Sequence, residues 1–333
     1  MNAAITGAAL LYPGRLHADG AEGPALERLR ARHPGVEFHR APYDAEAALA
    51  AGSAPSGLTA EVVAALGRAE AVLCLDLPEP VLKLAPRLRW VQSAATGVER
   101  LPLAALRAAG VVVSNAAGTA APEIAEFVLA RILEDRKRLP ELAALAAERA
   151  WRPVYGAGLS GVPLGLVGFG AINRRVARLA AAFGMEVHVC RRRGGPPPEG
   201  VRRVHPLPEL NTMLARCEIV VAALPETPET IGILGREALA ALPRGALLLN
   251  VGRGSAVDEP ALLDALARGS LRAALDVAAR EPLPPGDPLW DAPGVRISAH
   301  CSSVPSAGVE RVLELFGDGL SRWEAGEAPT HQI

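Results

Sequence analysis

Residues 164–193 read LGLVGFGAINRRVARLAAAFGMEVHVCRRR, and this stretch decides the fold of the chain. An apolar run, Val162–Val167, leads into a glycine turn at residues 168–170 and then into a helical stretch, Ala171–Phe183. A second apolar run, Val187–Cys190, follows the helical stretch. Strand, glycine turn, helix and strand in this order form the first half of a dinucleotide-binding βαβ unit.

The glycine turn predicts a phosphate site. Gly168 allows the chain to turn sharply after the strand, and Gly170 lets a pyrophosphate approach the backbone because it has no Cβ. The free N–H groups and the positive dipole end of the next helix then face the phosphates. Asn173 stands where G-x-G-x-x-G has its third glycine, which weakens the match without removing the anion site. We therefore predict cofactor contacts at Gly168, Phe169, Gly170, Ala171 and Ile172.

Length and composition indicate a globular protein of two domains. The chain has 333 residues, which is enough for two sizeable cores. Half of the residues are hydrophobic and about a fifth are charged, as in ordinary globular proteins. The net charge of −1 gives no reason to expect a nucleic-acid partner. No apolar run approaches the roughly 18 residues that a membrane span needs, so we expect no membrane partner.

The cysteines give no sign of disulfides or of a metal site. Three of the four lie in apolar, strand-like runs, and neither C-x-x-C nor a Cys/His metal spacing occurs among Cys74, Cys190, Cys217 and Cys301. We read them as reduced thiols of a cytoplasmic protein and predict no bound metal. The N-terminal stretch lacks the basic start of a signal peptide, which agrees with that location.

Short apolar runs alternate with helical stretches along most of the chain, and this rhythm predicts α/β domains with parallel sheets. Besides the two runs of the opening stretch, we predict strands at Ala3–Leu11, Val36–His39, Ala71–Leu75, Leu88–Gln92, Val111–Ser114, Glu218–Leu224, Ala246–Val251, Ala273–Val277 and Val295–Ser298. Further helices are predicted at Pro24–Arg32, Leu58–Leu66, Ala121–Leu139 and Pro305–Trp323.

Two of these helices set the predicted domain organisation. The long helix Ala121–Leu139 follows the first group of strands and is placed to bridge two domains. The final helix comes after the last strand of the second group, and we expect it to pack back on the first domain. We therefore predict a discontinuous substrate domain of residues 1–118 and 299–333, and a dinucleotide-binding domain of residues 119–298.

The segment ALLLNVGRGSAVDEPALLDAL (246–266) and five further segments, in order along the chain, resemble the D-isomer-specific 2-hydroxyacid dehydrogenase family, in particular its glyoxylate/hydroxypyruvate reductase-like members. The resemblance covers roughly Ala71 to the C-terminus. It implies a Rossmann-type doubly wound cofactor domain and a smaller, flavodoxin-like α/β substrate domain. The segments are WVQSAATGVERL (90–101), NAAGTAAPEIAEFVLARIL (115–133), EIVVAALPETPETIGIL (218–234), ALLLNVGRGSAVDEPALLDAL (246–266), AALDVAAREPLPPGDPLW (273–290) and VRISAH (295–300).

The resemblance implies a catalytic set of Arg253, Glu281 and His300. Arg253 would hold the substrate carboxylate and keto oxygen, since its planar guanidinium binds two oxygens at once and stays charged. His300 would be the general acid/base and Glu281 its partner. Reduction of a 2-oxo acid needs a hydride at carbon and a proton at oxygen, and a carboxylate beside an imidazole favours the proton-carrying imidazolium.

The resemblance also implies contacts with substrate and cofactor outside the catalytic set. The backbone of the loop Ala95-Thr96-Gly97 corresponds to the loop whose N–H groups bind the substrate carboxylate. Asp276 corresponds to a residue that usually contacts the nicotinamide carboxamide. Further cofactor contacts are expected at Leu224, Pro225, Thr230, Val251 and Gly252.

The end of the second strand of the βαβ unit favours NADP(H) over NAD(H). NAD-selective members usually carry an acidic residue there, which accepts hydrogen bonds from the ribose 2′-OH. Here the position is Arg191, and Arg192 and Arg193 follow it. Arginines attract a 2′-phosphate through charge-assisted hydrogen bonds, so we predict that Arg191 and Arg192 bind it. The alternative is a solvated basic turn.

These observations predict an NADPH-preferring reductase that converts a small 2-oxo acid, such as glyoxylate or hydroxypyruvate, to the D-2-hydroxy acid. A homodimer is the habit of the family. Two alternatives stay open. One is a dinucleotide-sensing interaction protein like the corepressor branch of the family. The other is a biosynthetic reductase for a larger or phosphonate-bearing 2-oxo acid.

Overall fold

The computed structural model describes residues 4–11, 23–43 and 58–333, without the side chains of residues 305–307. The chain forms two compact units, Met1–Thr119 with Val304–Ile333, and Ala120–Ser303. Each unit contains one parallel sheet. The predicted α/β class with a doubly wound parallel sheet is confirmed.

The first unit has a five-stranded sheet in the order β2-β1-β3-β4-β5. Its strands are β1 Gly7–Leu11, β2 Glu37–Arg40, β3 Ala71–Cys74, β4 Trp90–Ser93 and β5 Val112–Ser114. The order is that of flavodoxin-like sheets. Residue 3, at the start of the predicted first strand, lies outside the described residues. Among its described residues, the helices of this unit are α1 Gly23–Arg32, α2 Ala60–Arg68, α3 Glu79–Leu82, α4 Leu103–Ala108 and, near the C-terminus, α11 Pro305–Glu324.

The second unit has a seven-stranded sheet in the order β12-β11-β10-β9-β6-β7-β8. Strand order reverses between β6 and β9, and in open α/β sheets ligands bind at the carboxyl ends of the strands at such a point. The strands are β6 Pro163–Val167, β7 Glu186–Arg191, β8 Arg203–Pro206, β9 Ile219–Ala222, β10 Ala246–Asn250, β11 Leu271–Leu275 and β12 Val295–Ile297. The helices are α5 Ala121–Arg136, α6 Leu139–Ala147, α7 Ala171–Ala182, α8 Leu210–Leu214, α9 Arg236–Ala241 and α10 Glu259–Ala267.

Alternating side chains of the second sheet face two separate hydrophobic layers. Leu164 and Leu166 of β6 pack in one layer with α5 and α7. Val167 and Val220 pack in the other layer with α9 and α10. Both faces of a parallel sheet are buried in this way, which explains why its strands are continuous apolar runs in the sequence.

The long predicted helix Ala121–Leu139 is shorter in the structure. Helix α5 ends at Arg136, and Arg138 adopts a left-handed backbone conformation with φ 56°. A second helix, α6, then begins at Leu139 with Pro140 in its first turn. Proline is well accommodated in a first turn because the N–H that it lacks would have no partner there. Pro140 therefore begins a helix instead of ending one.

Strand β8 was not predicted from the sequence. Its four residues, Arg203–Pro206, pair with β7 at the edge of the sheet. Only one of them, His205, is buried, so the apolar run that marks the other strands is absent. Its pairing with the buried strand β7 therefore decides its conformation.

Helix α11 packs against the first sheet through Trp90 of β4. The Trp90 ring is fully buried and stacks on Phe316 with ring centroids 4.8 Å apart. Its Nε1 donates a hydrogen bond of 2.9 Å to Ser114 Oγ on β5. A Cβ added at Gly319 would collide with the same ring, so glycine is required for this close approach. The last segment of the chain thus completes the core of the unit that begins the chain.

The predicted boundary at residue 299 differs from the observed one. The second unit continues to Ser303, so His300 lies in the same unit as Glu281 and Arg253. The physical reason is that residues 298–302 hydrogen bond to Asp276 at the end of β11. None of the helices within residues 4–11, 23–43 and 58–333 has the length and hydropathy of a membrane span.

Candidate active site

The glycine turn lies at the carboxyl end of β6, beside the point where strand order reverses. Gly168 has φ +85°, and a Cβ there would also collide with the Leu224 side chain. Gly170 caps α7, and a Cβ added to it would meet no atom within 4 Å. The space in front of Gly170 is therefore open to a ligand that approaches the first turn of α7. This geometry fits a dinucleotide pyrophosphate.

Asn173 stabilises this turn through side-chain hydrogen bonds. Its side chain is fully buried, and its Nδ2 donates to Val167 O at 3.1 Å and to Gly168 O at 2.8 Å. The amide thus binds the two carbonyl groups where the strand turns into the glycine loop. Asn173 Oδ1 is buried without a hydrogen-bond partner among the described residues. The departure from the glycine pattern therefore adds hydrogen bonds to the turn.

Arg191 ends β7, two strands away from β9 in the sheet. Its Nη2 donates to Gly194 O at 3.4 Å, and its Nε is buried with no partner among the described residues. Arg192 is exposed, and its positive charge acts on Glu229 in the loop that follows β9. A hydrogen bond from Thr227, and further the charge of Arg192, hold the pKa of Glu229 below its ordinary value. Positive charge therefore lies at the carboxyl edge of the sheet on the β7 side.

The loop after β9 packs against both the glycine turn and the turn after β10. A Cβ at Gly168 or at Gly252 would collide with Leu224, so the two glycines allow three neighbouring loops to meet at this leucine. Farther along the loop, Thr230 Oγ1 donates to Pro225 O at 2.6 Å. The predicted cofactor residues Leu224, Pro225, Thr230 and Gly252 thus share one edge of the sheet.

Arg253 follows β10 in a turn that Asn250 holds. Asn250 is buried; its Nδ2 donates to Arg253 O at 2.9 Å, and its Oδ1 accepts from Gly252 N at 3.1 Å. Arg253 is half-buried, and its Nη1 donates to Gly252 O at 2.9 Å. The sequence reasoning did not single out Asn250, although an asparagine two residues before a glycine at a strand end is a turn signal.

The Arg253 turn touches the loop that carries Glu281. A Cβ added at Gly254 would collide with the backbone of Ala278, so this glycine lets the two loops pack directly on each other. Glu259 Oε1 accepts a hydrogen bond of 2.6 Å from Ala279 N in the same loop. The fold thus brings the loops of Arg253 and Glu281 together from different strand ends. Glu259 was not predicted as part of the site.

His300 and Glu281 form a direct pair. His300 Nδ1 lies 2.7 Å from Glu281 Oε2, and the other carboxylate oxygen accepts from Ala278 N at 3.1 Å. The His300 side chain is 52% exposed, and among the described residues its ring is hydrogen bonded through Nδ1 and not through Nε2. An imidazole bound at Nδ1 to a carboxylate presents Nε2 to a ligand, which is the arrangement required of a general acid/base.

The carboxylate of Asp276, which was predicted as a cofactor contact, accepts hydrogen bonds from the loop that carries His300. It is only 4% exposed. Its Oδ1 accepts from Ser298 Oγ at 2.8 Å and from Cys301 N at 3.0 Å, and its Oδ2 accepts from Ser302 N at 3.1 Å. Ser298 was not predicted as part of the site and carries no sequence signal beyond its place after a strand.

The predicted substrate loop Ala95-Thr96-Gly97 follows β4 in the first unit. Ala95 N donates to Ser93 Oγ at 3.1 Å, so this amide is already used within the loop. Asn115 Nδ2 donates to Thr96 O at 2.7 Å and fixes the carbonyl side of the loop. The N–H groups of Thr96 and Gly97 have no acceptor among the described residues, so these two remain candidates for a substrate carboxylate.

Comparisons with known proteins find similarity over most of the chain. Residues 129–302 match the family described as D-isomer specific 2-hydroxyacid dehydrogenase, NAD binding domain. A glyoxylate reductase of Korarchaeum cryptofilum is 32% identical over 263 residues, which is 76% of this chain and 78% of that protein. The D-3-phosphoglycerate dehydrogenase of Mycobacterium tuberculosis is 34% identical over 80% of this chain, which spans about half (51%) of that protein.

A solved structure extends the similarity over both units. A D-isomer specific 2-hydroxyacid dehydrogenase from Xanthobacter autotrophicus Py2, in complex with NADPH and MES, is 30% identical to this chain. The match has a TM-score of 0.76 and covers 98% of each chain.

Proposed function

Because the chain belongs to the D-isomer-specific 2-hydroxyacid dehydrogenase family, we propose that it reduces a small 2-oxo acid to the D-2-hydroxy acid with NADPH. In this proposal His300 is the general acid/base, Glu281 is its partner, and Arg253 binds the substrate carboxylate and keto oxygen. The unit Ala120–Ser303 holds the dinucleotide. Glyoxylate and hydroxypyruvate are the first substrates to test, and the Korarchaeum relative is named for the first of them.

The pair of His300 and Glu281 is the observation that carries the proposal. The two side chains meet at 2.7 Å although they are 19 positions apart in sequence. The loop of Glu281 rests in turn on the Arg253 turn through Gly254. A proton donor with a carboxylate partner and a guanidinium that binds carboxylates is the set that keto acid reduction requires.

Each of the three residues has its own role in the proposed reaction. NADPH, when bound, supplies the hydride. His300 Nε2 donates the proton to the keto oxygen, while the Glu281 carboxylate holds Nδ1 and offsets positive charge on the ring. Arg253 binds the carboxylate through two N–H groups and places positive charge where the oxygen becomes negative. In the oxidative direction His300 Nε2 accepts the proton of the hydroxyl group.

The first turn of α7 supports the assignment of the dinucleotide to the second unit. The open space at Gly170 admits a pyrophosphate next to the N-terminal N–H groups of a 12-residue helix. The neighbouring residues Phe169, Ala171 and Ile172 complete this turn. Val251 and Gly252 end the turn after β10, and Gly252 meets the same Leu224 as Gly168.

Arg191 and Arg192 support NADPH as the cofactor. The buried Nε of Arg191 lacks a partner among the described residues, and a 2′-phosphate oxygen would supply one. Burial of an unpaired donor is costly, so such a group favours a ligand that accepts from it. The Xanthobacter structure with NADPH shows that the family includes members that bind this cofactor.

Turnover of a panel of 2-oxo acids, followed by nicotinamide absorbance, tests the reaction. We expect the wild type to reduce at least one small 2-oxo acid, and Arg253→Ala and His300→Ala to lower kcat by roughly 10³-fold. Arg268→Ala, at an exposed position after α10, is the matched control and keeps wild-type turnover. Near-normal turnover of both site variants, with circular dichroism unchanged, would refute the assignment.

The same panel run with NADPH and NADH tests the cofactor. Arg191→Ala and Arg192→Ala each remove a cation from the 2′-phosphate and are expected to lower kcat/KM for NADPH by about 10–100-fold. Their kcat/KM for NADH stays within a few-fold of the wild type. Arg193→Ala serves as the control from the same basic run. Equal rates of the wild type with both cofactors would contradict the roles of Arg191 and Arg192.

The same assay distinguishes the corepressor-like alternative from the reductase, because a sensing protein binds NADPH without turning over any 2-oxo acid. A preference for larger or phosphonate-bearing members of the panel would instead identify a biosynthetic reductase.

A further inference from the structure

The carboxylate of Asp276 is a meeting point of hydrogen bonds from the loop that carries His300. Three donors reach it, namely the Ser298 hydroxyl and the backbone N–H groups of Cys301 and Ser302. All three distances lie between 2.8 and 3.1 Å, and the side chain is 4% exposed. The donors belong to residues on both sides of His300, so the carboxylate encloses this residue within a short loop.

The backbone of Asp276 adds a further hydrogen bond. Its carbonyl oxygen accepts from His300 N at 2.8 Å, and Ser298 O accepts from the same N–H at 2.7 Å. His300 has φ +51°, in the left-handed region that residues other than glycine rarely adopt. Such a conformation costs on the order of 1–3 kcal/mol and persists only where the surroundings impose it. The hydrogen bonds to Asp276 surround the residue that adopts this conformation.

The left-handed backbone conformation of His300 sets the direction of its imidazole side chain. It directs the His300 ring to Glu281, whose carboxylate is held by Ala278 N at 3.1 Å. Asp276 directly follows strand β11, from which the Glu281 loop starts, so both members of the pair depend on the same strand end. A shift of the loop by about 1 Å would separate Nδ1 from Oε2 and misdirect Nε2, and such misplacement costs roughly 100-fold in rate.

We propose that Asp276 is a positioning residue that holds the His300 loop in its left-handed turn and thereby aligns the imidazole with Glu281. This inference rests on the proposed function of His300. It differs from the role that family resemblance implies, which is contact with the nicotinamide carboxamide. A carboxylate accepts about four hydrogen bonds, and three are used within the protein. Because most of its acceptor sites are used within the protein, we expect the loss of this carboxylate to affect proton transfer more than cofactor affinity.

Asp276→Asn is the variant that tests this role, because asparagine keeps the shape and replaces one acceptor oxygen by a donor amide. The amide then faces the N–H of Ser302 or the donors at Oδ1, so at least one of the three hydrogen bonds to this side chain is lost. We expect kcat with the best 2-oxo acid to fall by roughly 10–100-fold. The dissociation constant of NADPH, measured by nicotinamide fluorescence, is expected to stay within about 2-fold.

Hydrogen–deuterium exchange of the cofactor-free protein gives a readout that needs no activity. In Asp276→Asn the peptide that contains residues 298–303 is expected to exchange faster, since the N–H groups of Cys301 and Ser302 lose their acceptor. Ser298→Ala removes only the hydroxyl donor and provides a milder variant. It keeps the two backbone hydrogen bonds, so its loss of kcat is expected to be smaller, about 3–10-fold.

Asp264→Asn is the matched control, because Asp264 is exposed and pairs with Arg236 away from this loop. It should change neither kcat nor exchange at residues 298–303. A loss of NADPH affinity in Asp276→Asn as large as its loss of kcat would overturn the proposal in favour of cofactor contact. Unchanged kcat and exchange in both Asp276→Asn and Ser298→Ala would overturn it as well.

The proposed function and the role of Asp276 can fail separately. If the wild type reduces no 2-oxo acid of the panel, the proposed reaction is wrong, and the exchange of residues 298–303 still decides whether Asp276 holds the loop.

Discussion

At the scale of single residues, Asn173 shows that a departure from a motif can preserve the structure that the motif serves. The third glycine of the dinucleotide pattern permits close packing of helix on strand. Asn173 instead fills this position with a buried amide that binds the carbonyl groups of Val167 and Gly168. The turn is thus held by side-chain hydrogen bonds, and the first turn of α7 keeps its place next to the glycine loop.

Asn173→Ala removes these hydrogen bonds and tests this interpretation. We expect the free energy of unfolding to fall by about 1–3 kcal/mol, because one buried and one partly buried carbonyl group lose a donor. The affinity for NADPH is expected to fall several-fold as the turn loosens. Urea unfolding and fluorescence titration measure the two effects. Asn211→Ala, at an exposed position of α8, should change stability by less than about 0.5 kcal/mol. Equal stability of the two variants would show that the Asn173 amide is dispensable.

The buried histidine pair of β7 and β8 predicts a pH dependence of stability. His188 Nδ1 lies 3.4 Å from His205 Nε2, and His205 Nδ1 lies 3.1 Å from Glu209. Burial, more than the charge of Arg203, lowers the pKa of His205 from its ordinary value, although the hydrogen bond to Glu209 acts in the opposite direction. Between the lowered native pKa and pH about 6.5, the unfolded chain therefore binds a proton at this site that the folded protein does not.

The free energy of unfolding should consequently decrease as the pH falls below about 6.5 and level off below the lowered native value. The slope that this one group contributes is at most about 1.4 kcal/mol per pH unit. Urea unfolding of the wild type and of His205→Asn at several pH values isolates the contribution. We expect a flatter pH dependence in the variant. An identical dependence in both proteins would show that His205 does not titrate differently on folding.

At the scale of elements, helix α11 shows that glycine in a helix can be required by what packs on it. Glycine is unfavourable in a helix interior by about 1 kcal/mol relative to alanine. Gly319 is nevertheless needed because the ring of Trp90 occupies the place of its side chain. At Gly308, in the first turn of the same helix, a Cβ would meet no atom within 4 Å.

Alanine at these two glycines should therefore have opposite effects. We expect Gly319→Ala to lower the free energy of unfolding by about 1–3 kcal/mol through overpacking against Trp90. Gly308→Ala is expected to raise it by up to about 1 kcal/mol through helix propensity. Thermal or urea unfolding, followed by tryptophan fluorescence, compares the two. A stabilised Gly319→Ala protein would contradict the packing of this helix on Trp90.

At the scale of the whole molecule, the order of strands explains why residues far apart in sequence form one site. In the second unit all strands are parallel, so the loops after β6, β7, β9, β10, β11 and β12 leave from the same edge of the sheet. The predicted dinucleotide and catalytic residues of this unit all lie at that edge or in the loops that leave it. The predicted substrate loop belongs to the other unit, at the carboxyl end of its strand β4.

We predict a homodimer, as the resemblance to the family implies. Sedimentation equilibrium should then give twice the chain mass of 34.6 kDa at micromolar concentration. A mass of 34.6 kDa that does not change with concentration would contradict the prediction. The measurement requires no substrate, so its result is independent of the proposed reaction.

The sequence by itself determined the α/β class, most strands and the family. Continuous apolar runs, such as Leu164–Val167, mark strands that are buried on both faces, and glycines at 168 and 170 mark the phosphate turn. These signals are local, since they depend on the spacing of side chains along one element. The segments around Arg253, Glu281 and His300 pointed to the catalytic set through family resemblance, which needs no distances.

Only the tertiary structure decided what depends on contacts between distant segments. The edge strand β8 has no apolar run of its own, and its pairing with β7 fixes it. The break at Arg138 and the burial of Asn173 depend on backbone geometry that composition does not encode. Above all, the hydrogen bonds of Asp276 join residues 22 to 26 positions apart. A carboxylate has the same appearance in a sequence whether it binds a cofactor or a loop, and its neighbours in space decide between the two.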